Sequence, residues 1–133
     1  MASIISNNPQ ETLELGRKLA AGLRPGEILA LAGELGAGKT HFVKGLAAGL
    51  GVEDEITSPT FTLVHEHPRL VHIDFYRLEH PEEALAIGLD DYLESDRVTV
   101  IEWADKFEVL IPSQARWIRF RVLEGDQREI TLS

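Results

Sequence analysis

The feature that most constrains this chain is a glycine-rich loop placed between an apolar segment and a helix-forming segment. Residues 28–32 read Ile-Leu-Ala-Leu-Ala, as expected for a buried strand, and residues 41–50 have helical composition. Between them, residues 33–40 match the pattern G-x-x-x-x-G-K-[ST]. A strand before such a loop and a helix after it distinguish a phosphate-binding loop from a chance match. The sequence therefore predicts an α/β protein organised around this loop.

The residue types in the loop suit the chemistry of a phosphate chain. Gly33, Gly36 and Gly38 allow backbone conformations closed to other residues, so several N–H groups can turn toward phosphate oxygens. Lys39 supplies a mobile charge for the outer phosphates, and the Thr40 hydroxyl is an oxygen ligand of the kind that Mg²⁺ prefers. We expect Lys39 to face solvent in the protein without nucleotide. The alternative is a glycine-rich turn with an incidental Lys-Thr pair, which the flanking segments disfavour.

Length and composition limit what this chain can do. Its 133 residues suit one domain, 1–133, and 13 basic against 22 acidic residues give a net charge of -9. A surface of this charge repels a phosphate backbone, so direct, tight binding of nucleic acid is disfavoured. There is no cysteine, which excludes disulfide and thiol chemistry, and no apolar run approaches the roughly 20 residues of a membrane span. We therefore expect a cytoplasmic protein with no membrane partner.

Strand patterns in the rest of the chain predict a mixed sheet. Phe61–Glu66 and Leu70–Asp74 are separated by three residues, which favours an antiparallel hairpin after the loop helix. Ala115–Leu123 and Arg128–Leu132 predict a second antiparallel hairpin at the C-terminal end, and Val98–Glu102 predicts another buried strand. The predicted fold is a single P-loop NTPase-like domain with a mixed central sheet and helices on both faces.

Three further segments complete this prediction. Asn8 caps a helix that runs to about Ala21 and packs beside the strand at 28–32, and its leading residues could lie near a bound base. Pro81–Ile87 predicts a short helix, and Asp90–Glu94 an acidic turn on the surface.

Two acidic residues each end an apolar run. Asp74 and Glu102 stand at the last positions of predicted strands, and ligands of open α/β sheets bind at that edge. One carboxylate can hold Mg²⁺ while the other orients the attacking water, because phosphoryl transfer depends on positioning and charge neutralisation. The residue types leave these two roles unassigned. A solvated strand end remains the alternative for each acid taken alone.

A hydroxyl-rich loop follows the predicted loop helix. The segment Thr57-Ser58-Pro59-Thr60 could lie across the phosphate site, where its hydroxyls would sense the terminal phosphate. A turn stabilised by its own hydroxyl groups is an equal alternative.

Four segments in this order give the chain a resemblance to a known family. They are the phosphate-loop pattern at 33–40, the sequence Thr-Ser-Pro-Thr-Phe-Thr-Leu at 57–63, the sequence His-Ile-Asp-Phe-Tyr-Arg at 72–77, and the pair Glu102-Trp103. Together they resemble the TsaE (YjeE) family of small bacterial P-loop ATPases, over nearly the whole chain. The phosphate loop alone would indicate only a superfamily, whereas the other three segments are specific.

The resemblance implies a function that spacing alone does not give. Members hydrolyse ATP in support of threonylcarbamoyladenosine formation at position 37 of tRNA, next to the anticodon. They act with the two partner proteins TsaD and TsaB, and contact with tRNA is only indirect, through that complex. The implied cofactors are ATP and Mg²⁺. The implied nucleotide contacts are Gly33, Glu34, Leu35, Gly36, Ala37, Gly38, Lys39, Thr40, Thr60 and Arg128.

The resemblance also implies roles for the groups that carry the chemistry. Thr40 and Glu102 would hold Mg²⁺, with Lys39 on the phosphates. Asp74 would position the water or support the metal ligands from behind. Two other functions use the same loop. A small-molecule kinase would need an acceptor pocket and usually an arginine-bearing lid, whereas a nucleotide-dependent scaffold would bind without turnover.

Overall fold

Parallel strands with apolar sequences form the centre of a single seven-stranded sheet. The structure, a computed structural model, describes residues 2–34, 36–57, 59 and 63–133. The strands are β1 (Ala2–Ser6), β2 (Ile28–Ala32), β3 (Val64–Glu66), β4 (Leu70–Asp74), β5 (Val98–Glu102), β6 (Arg116–Val122) and β7 (Arg128–Leu132). The helices are α1 (Pro9–Ala20), α2 (Lys39–Gly49), α3 (Pro81–Ala86) and α4 (Leu89–Leu93), and a 3₁₀ segment covers Ala104–Leu110.

The order of the strands confirms the predicted mixed sheet. It runs β1-β7-β6-β2-β5-β4-β3, and the four central strands β6, β2, β5 and β4 are parallel. β3 pairs antiparallel with β4, and β7 pairs antiparallel with both β6 and β1. Both predicted hairpins are therefore present, one on each side of the parallel centre.

Helices cover both faces of the sheet, as predicted. Leu29 and Leu31 of β2 pack in an apolar cluster with α1 and α2, whereas Ile28 and Ala30 pack in a second cluster with α3, α4 and the 3₁₀ segment. Successive residues of a strand point to opposite faces, so a strand covered on both sides reads as a continuous apolar run. This is why the sequence of β2 lacks polar residues.

The two long helices approach each other unusually closely. A Cβ atom at Gly45 of α2 would lie 1.8 Å from the carbonyl oxygen of Leu13, and one at Gly16 of α1 would lie 2.2 Å from that of Phe42. Glycine is therefore required at both positions. The prediction placed α1 beside β2, but its direct neighbour is α2, and its C-terminal end reaches the β2 cluster through Ala20.

Several local predictions can be compared with the structure. The Asn8 side chain caps α1 by accepting a hydrogen bond from the Glu11 amide at 2.9 Å, as predicted. The prediction of an acidic turn at Asp90–Glu94 is wrong, because most of this segment forms the helix α4. β1 was not predicted. The first residues of the predicted strand at 61–66 lie outside the described residues, and within the described ranges no helix is long and apolar enough to cross a membrane.

Candidate functional site

A cleft of about 400 Å³ lies at the carboxyl edge of the parallel strands, beside the glycine loop. Asp74 and Glu102 are direct register partners at the ends of the adjacent strands β4 and β5. The predicted site residues that line the cleft are Gly36, Gly38, Lys39, Thr40, Asp74, Glu102 and Arg128. The fold therefore brings part of the phosphate loop and both strand-end acids to one place, as the sequence predicted. The predicted contacts Gly33, Glu34 and Ala37 are not among the residues that line the cleft.

The glycine loop leads from β2 into an open helix N-terminus. Gly36 and Gly38 have positive φ angles of 79° and 96°, which only glycine adopts at little cost. Gly38 is the N-cap residue of α2 and has no side chain that could accept a hydrogen bond from the first turn. Free amide groups at a helix N-terminus, together with the helix dipole, favour an anion there. Gly33 has a different role, since a Cβ there would lie 2.7 Å from the carbonyl oxygen of Phe120 in β6.

Lys39 is buried rather than solvent-facing, so the prediction about its exposure was wrong. Its relative exposure is 5%, and its ammonium donates hydrogen bonds to the carbonyl oxygens of Gly33 and, at 3.4 Å, Glu34. The same ammonium lies 3.6 Å from the ring centroid of Trp103, a cation–π contact. The loop carbonyls and the aromatic ring provide partners that a sequence pattern does not show.

The surroundings of Lys39 also change the pKa of its ammonium group. Burial lowers the pKa of the Lys39 ammonium below its ordinary value, because the charged form loses hydration. The carboxylates of Glu102, Asp105, Asp74 and Glu34 act in the opposite direction, since they favour the charged form. The base of the cleft is therefore a place where a buried cation faces several acids.

Each strand-end acid has a hydrogen-bond partner. Glu102 is 3% exposed, and its Oε2 atom is hydrogen-bonded to Nε2 of His72. Asp74 is also buried, and its Oδ1 atom accepts a hydrogen bond from the Tyr76 amide at 2.7 Å. Neither acid is a solvated strand end, so the alternative considered for each acid alone is excluded.

Arg128 links the outer part of the sheet to the glycine loop. Its guanidinium donates to the carbonyl oxygen of Gly36 at 3.0 and 3.3 Å, and to those of Gly125 and Gln127 at 2.8 and 2.9 Å. These bonds hold a cation at the rim of the cleft, where the resemblance implied a nucleotide contact.

Sequence reasoning missed part of the cleft, and some predicted residues cannot be placed. His41 and Asp126 line the cleft and were not predicted. Trp103, expected at the rim of the site beside Glu102, and Tyr76, for which the resemblance implied a role in site architecture or partner binding, line it as well. Pro9 and Thr12, at the end of α1 that could lie near a bound base, complete this part of the lining. The contact of His72 with Glu102 had a signal, because His72 and Asp74 are two residues apart on one strand and share a face. Leu35, Ser58 and Thr60 lie outside the described residues.

The residues of the cleft fit Mg²⁺ bound together with phosphates. In the described ranges, no group of three or more His, Cys, Asp or Glu side chains could hold a metal ion by itself. Mg²⁺ at a nucleotide site usually takes only one or two protein ligands, and phosphates and water supply the others. The Thr40 hydroxyl and the Glu102 carboxylate line the same cleft and are oxygen donors of this kind.

Comparisons with known proteins agree with the motif segments. The family model described as "Threonylcarbamoyl adenosine biosynthesis protein TsaE" matches residues 6–130. Two relatives named "tRNA threonylcarbamoyladenosine biosynthesis protein TsaE" are each 42% identical to the chain. The one from Bacillus subtilis (strain 168) aligns over 95% of this chain and 81% of its own length, and the one from Treponema pallidum (strain Nichols) over 97% and 98%.

A solved structure supports the same relationship. The crystal structure of Bacillus subtilis YdiB superposes with a TM-score of 0.82 at 35% sequence identity, and covers 98% of this chain and 83% of that one. The resemblance inferred from the four motif segments is confirmed. The chain belongs to the TsaE family.

Proposed function

We propose that this protein binds ATP and Mg²⁺ in the cleft and hydrolyses ATP to ADP and phosphate. In the proposal, this activity supports threonylcarbamoyladenosine modification of tRNA at position 37, together with TsaD and TsaB. The observation that carries the proposal is the meeting of Lys39, Thr40, Asp74 and Glu102 in one cleft at the carboxyl edge of the sheet. The names of the relatives supply the process.

The loop and the start of α2 would bind the phosphate chain. Amide groups around Gly36 and Gly38 and the uncapped first turn of α2 suit phosphate oxygens. The Lys39 ammonium has three N–H donors, so it can keep the Gly33 carbonyl as a partner while it donates to a phosphate oxygen. To do so it would give up part of its contact with Trp103.

The two strand-end acids would have different roles in hydrolysis. Thr40 and Glu102 would hold the metal, which when bound neutralises charge on the phosphate oxygens. Asp74 lies beside Glu102 in register and would orient the attacking water. The Tyr76 amide fixes one oxygen of Asp74, which favours a single orientation of that carboxylate.

The charge of the protein favours an indirect relation to tRNA. A net charge of -9 opposes direct binding of a nucleic-acid backbone. Partner proteins that bind the tRNA themselves would allow this chain to act without touching it.

The test is phosphate release from ATP, measured for this protein alone and with TsaD and TsaB. We expect turnover that rises when both partners are present. Lys39→Ala should abolish turnover, and because Lys39 is buried, its thermal melting must be measured in parallel. Lys39→Met keeps an unbranched apolar side chain without the charge and serves as the second variant if Lys39→Ala does not fold. Full turnover by either folded variant would contradict the proposal.

The same assay separates the competing functions. Transfer of phosphate to a small molecule rather than to water would indicate a kinase. ATP binding with no turnover in any combination of partners would indicate a scaffold.

A further inference from the structure

His72 is a fully buried polar residue whose role the proposed mechanism does not include. It lies in the middle of β4, has 0% relative exposure, and follows Leu70 and precedes Asp74 on the face of the strand that carries the cleft. Burying a polar ring is unfavourable unless its polar atoms find partners. The contacts of His72 therefore indicate what it does.

The hydrogen bonding of His72 is directed at Glu102. Its Nε2 atom is bonded to Oε2 of Glu102, whereas its Nδ1 atom has no hydrogen-bond partner within the part of the chain that the structure describes. A carboxylate that is to hold a cation is ionised and only accepts hydrogen bonds, so the proposed role requires the His72 tautomer that carries its proton on Nε2. The ring packs edge-on against that of His65, with centroids 6.4 Å apart, a contact that provides packing but no hydrogen bond.

This bond constrains the carboxylate at the end of β5. Glu102 is buried at the last position of its strand and lines the cleft. With Oε2 held by His72, the other oxygen is the one that can face the cleft. A donor behind a ligating carboxylate fixes its orientation and tunes its basicity.

We propose that His72 is a positioning residue that orients Glu102 toward a nucleotide-bound cation. This inference rests on the proposed function, because it assigns the structural support for one of its metal ligands. Removal of a supporting donor of this kind typically lowers metal affinity or activity by about 10- to 100-fold. The defect should concern Mg²⁺, and the phosphate loop itself should be unaffected.

Matched variants separate the hydrogen bond from packing. His72→Leu removes the donor, His72→Gln places an amide N–H near the position of Nε2, and His65→Leu removes the neighbouring imidazole, which has no bond to Glu102. ATP affinity is measured with and without Mg²⁺, and phosphate release is measured as kcat and KM. We expect His72→Leu to lower the Mg²⁺-dependent gain in affinity and kcat by about 10-fold or more. Affinity without Mg²⁺ should stay the same, and His72→Gln should recover much of the loss. The His65 ring is hydrogen-bonded to the Thr57 backbone rather than to Glu102, so His65→Leu should keep the Mg²⁺-dependent gain in affinity.

The outcomes distinguish this inference from the proposed function. If the unaltered protein binds Mg-ATP without turnover, the proposed hydrolysis fails, but the affinity ratio still tests His72. If the unaltered protein hydrolyses ATP and folded His72→Leu keeps both the affinity ratio and kcat, the inference is overturned. Equal losses in folded His72→Gln and His72→Leu would also overturn it, since the donor would not matter.

A spectroscopic readout needs no variant. Nitrogen NMR of the imidazoles should show that Nε2 of His72 carries a proton in the nucleotide-free protein. A His72 ring protonated only on Nδ1 could not donate to Glu102, and that result would overturn the inference even if every variant failed to fold.

Discussion

The inner strands and the outer strands of the sheet differ in burial and in the kind of polar residue they carry. The inner strands are β2, β4 and β5, and every one of their residues is buried. The other strands are counted as outer: four of the five residues of β1 are exposed, and β6, although it is parallel to β2, alternates between buried and accessible positions. Yet the inner strands hold the buried polar side chains of His72, Asp74 and Glu102. The outer strands carry their charges at the surface, where water solvates them.

This difference indicates which polar residues serve function rather than stability. A buried polar group stabilises the protein only if it is well paired, and a surface charge contributes little. The acids at the ends of β4 and β5 are hydrogen-bonded and face the cleft, which is consistent with a role in binding rather than in stability. The outer strands chiefly widen the sheet, and Arg128 is their contribution to the cleft.

The largest expected effect is a loss of stability when core packing is disturbed in an inner strand rather than in an outer strand. Ile101 of β5 is fully buried, and Ile5 of β1 is 46% exposed. Ile101→Ala should lower the free energy of unfolding by about 2–5 kcal/mol, because it removes buried methyl groups and leaves a cavity. Ile5→Ala should change it by about 0.5 kcal/mol or less. Urea unfolding of both variants measures the difference, and equal losses would show that β1 belongs to the core as much as β5 does.

The second comparison concerns carboxylates in the two regions. Glu102→Gln in β5 should reduce ATP turnover by about 100-fold or more, since even outer partners of metal ligands cost up to about 100-fold. Glu129 in β7 pairs with Arg121 at 2.9 Å and lies outside the cleft, so Glu129→Gln should leave turnover unchanged. Stopped assays of phosphate release with matched protein concentrations measure both. Normal turnover in Glu102→Gln would remove the functional distinction between inner and outer strands.

The same contrast explains which parts of the fold could be predicted. β2, β4 and β5 have the predicted bounds because continuous apolar runs identify strands that are covered on both faces. β1 was missed because its segment is short, largely exposed, and paired with β7 at the far end of the sequence. Local patterns do not contain such a pairing. The acidic segment at 90–94 was predicted as a turn. It is mostly helical, because Gly88 caps a short helix whose acidic side chains lie at the surface.

The site was predicted in its composition but not in its contacts. Spacing identified Lys39, Asp74 and Glu102, because loop chemistry and strand ends follow from local sequence. The burial of Lys39 depends on Trp103, which is distant in the chain. The support of Glu102 by His72 likewise depends on strand order, since the two residues are adjacent only because β4 pairs with β5.

A smaller effect is expected at the point where the outer strands reach the cleft. Arg128→Gln removes the guanidinium bonds to the Gly36 carbonyl, and we expect ATP affinity to fall by about 0.5–1.5 kcal/mol, or roughly two- to tenfold. Arg121→Gln, at an exposed position of β6, is the matched control and should bind ATP normally. Calorimetric titration measures both. If both variants bind equally well, the outer strands contribute nothing to the cleft.

The smallest effect tests the other edge of the sheet, where the outer strand β3 borders the inner strand β4. Burial lowers the pKa of His65 below its ordinary value of 6.5, and the neighbouring rings of His72 and His67 lower it further, whereas a hydrogen bond to the Thr57 backbone acts in the opposite direction. The unfolded chain therefore binds more protons at His65 than the native protein does, so the free energy of unfolding should fall as the pH drops below about 6.5. His65→Gln has no such proton and should lose less stability between about pH 7.5 and about pH 5.5 in urea unfolding.

A salt control separates the two causes of the lowered pKa. Because burial is the larger cause, the difference in stability between the two proteins should persist at about 1 M salt, where charges are screened within about 3 Å. If it disappeared in salt, repulsion between histidines rather than burial at this boundary would control His65, and an equal loss in both proteins at low salt would show that β3 is as open to water as β1.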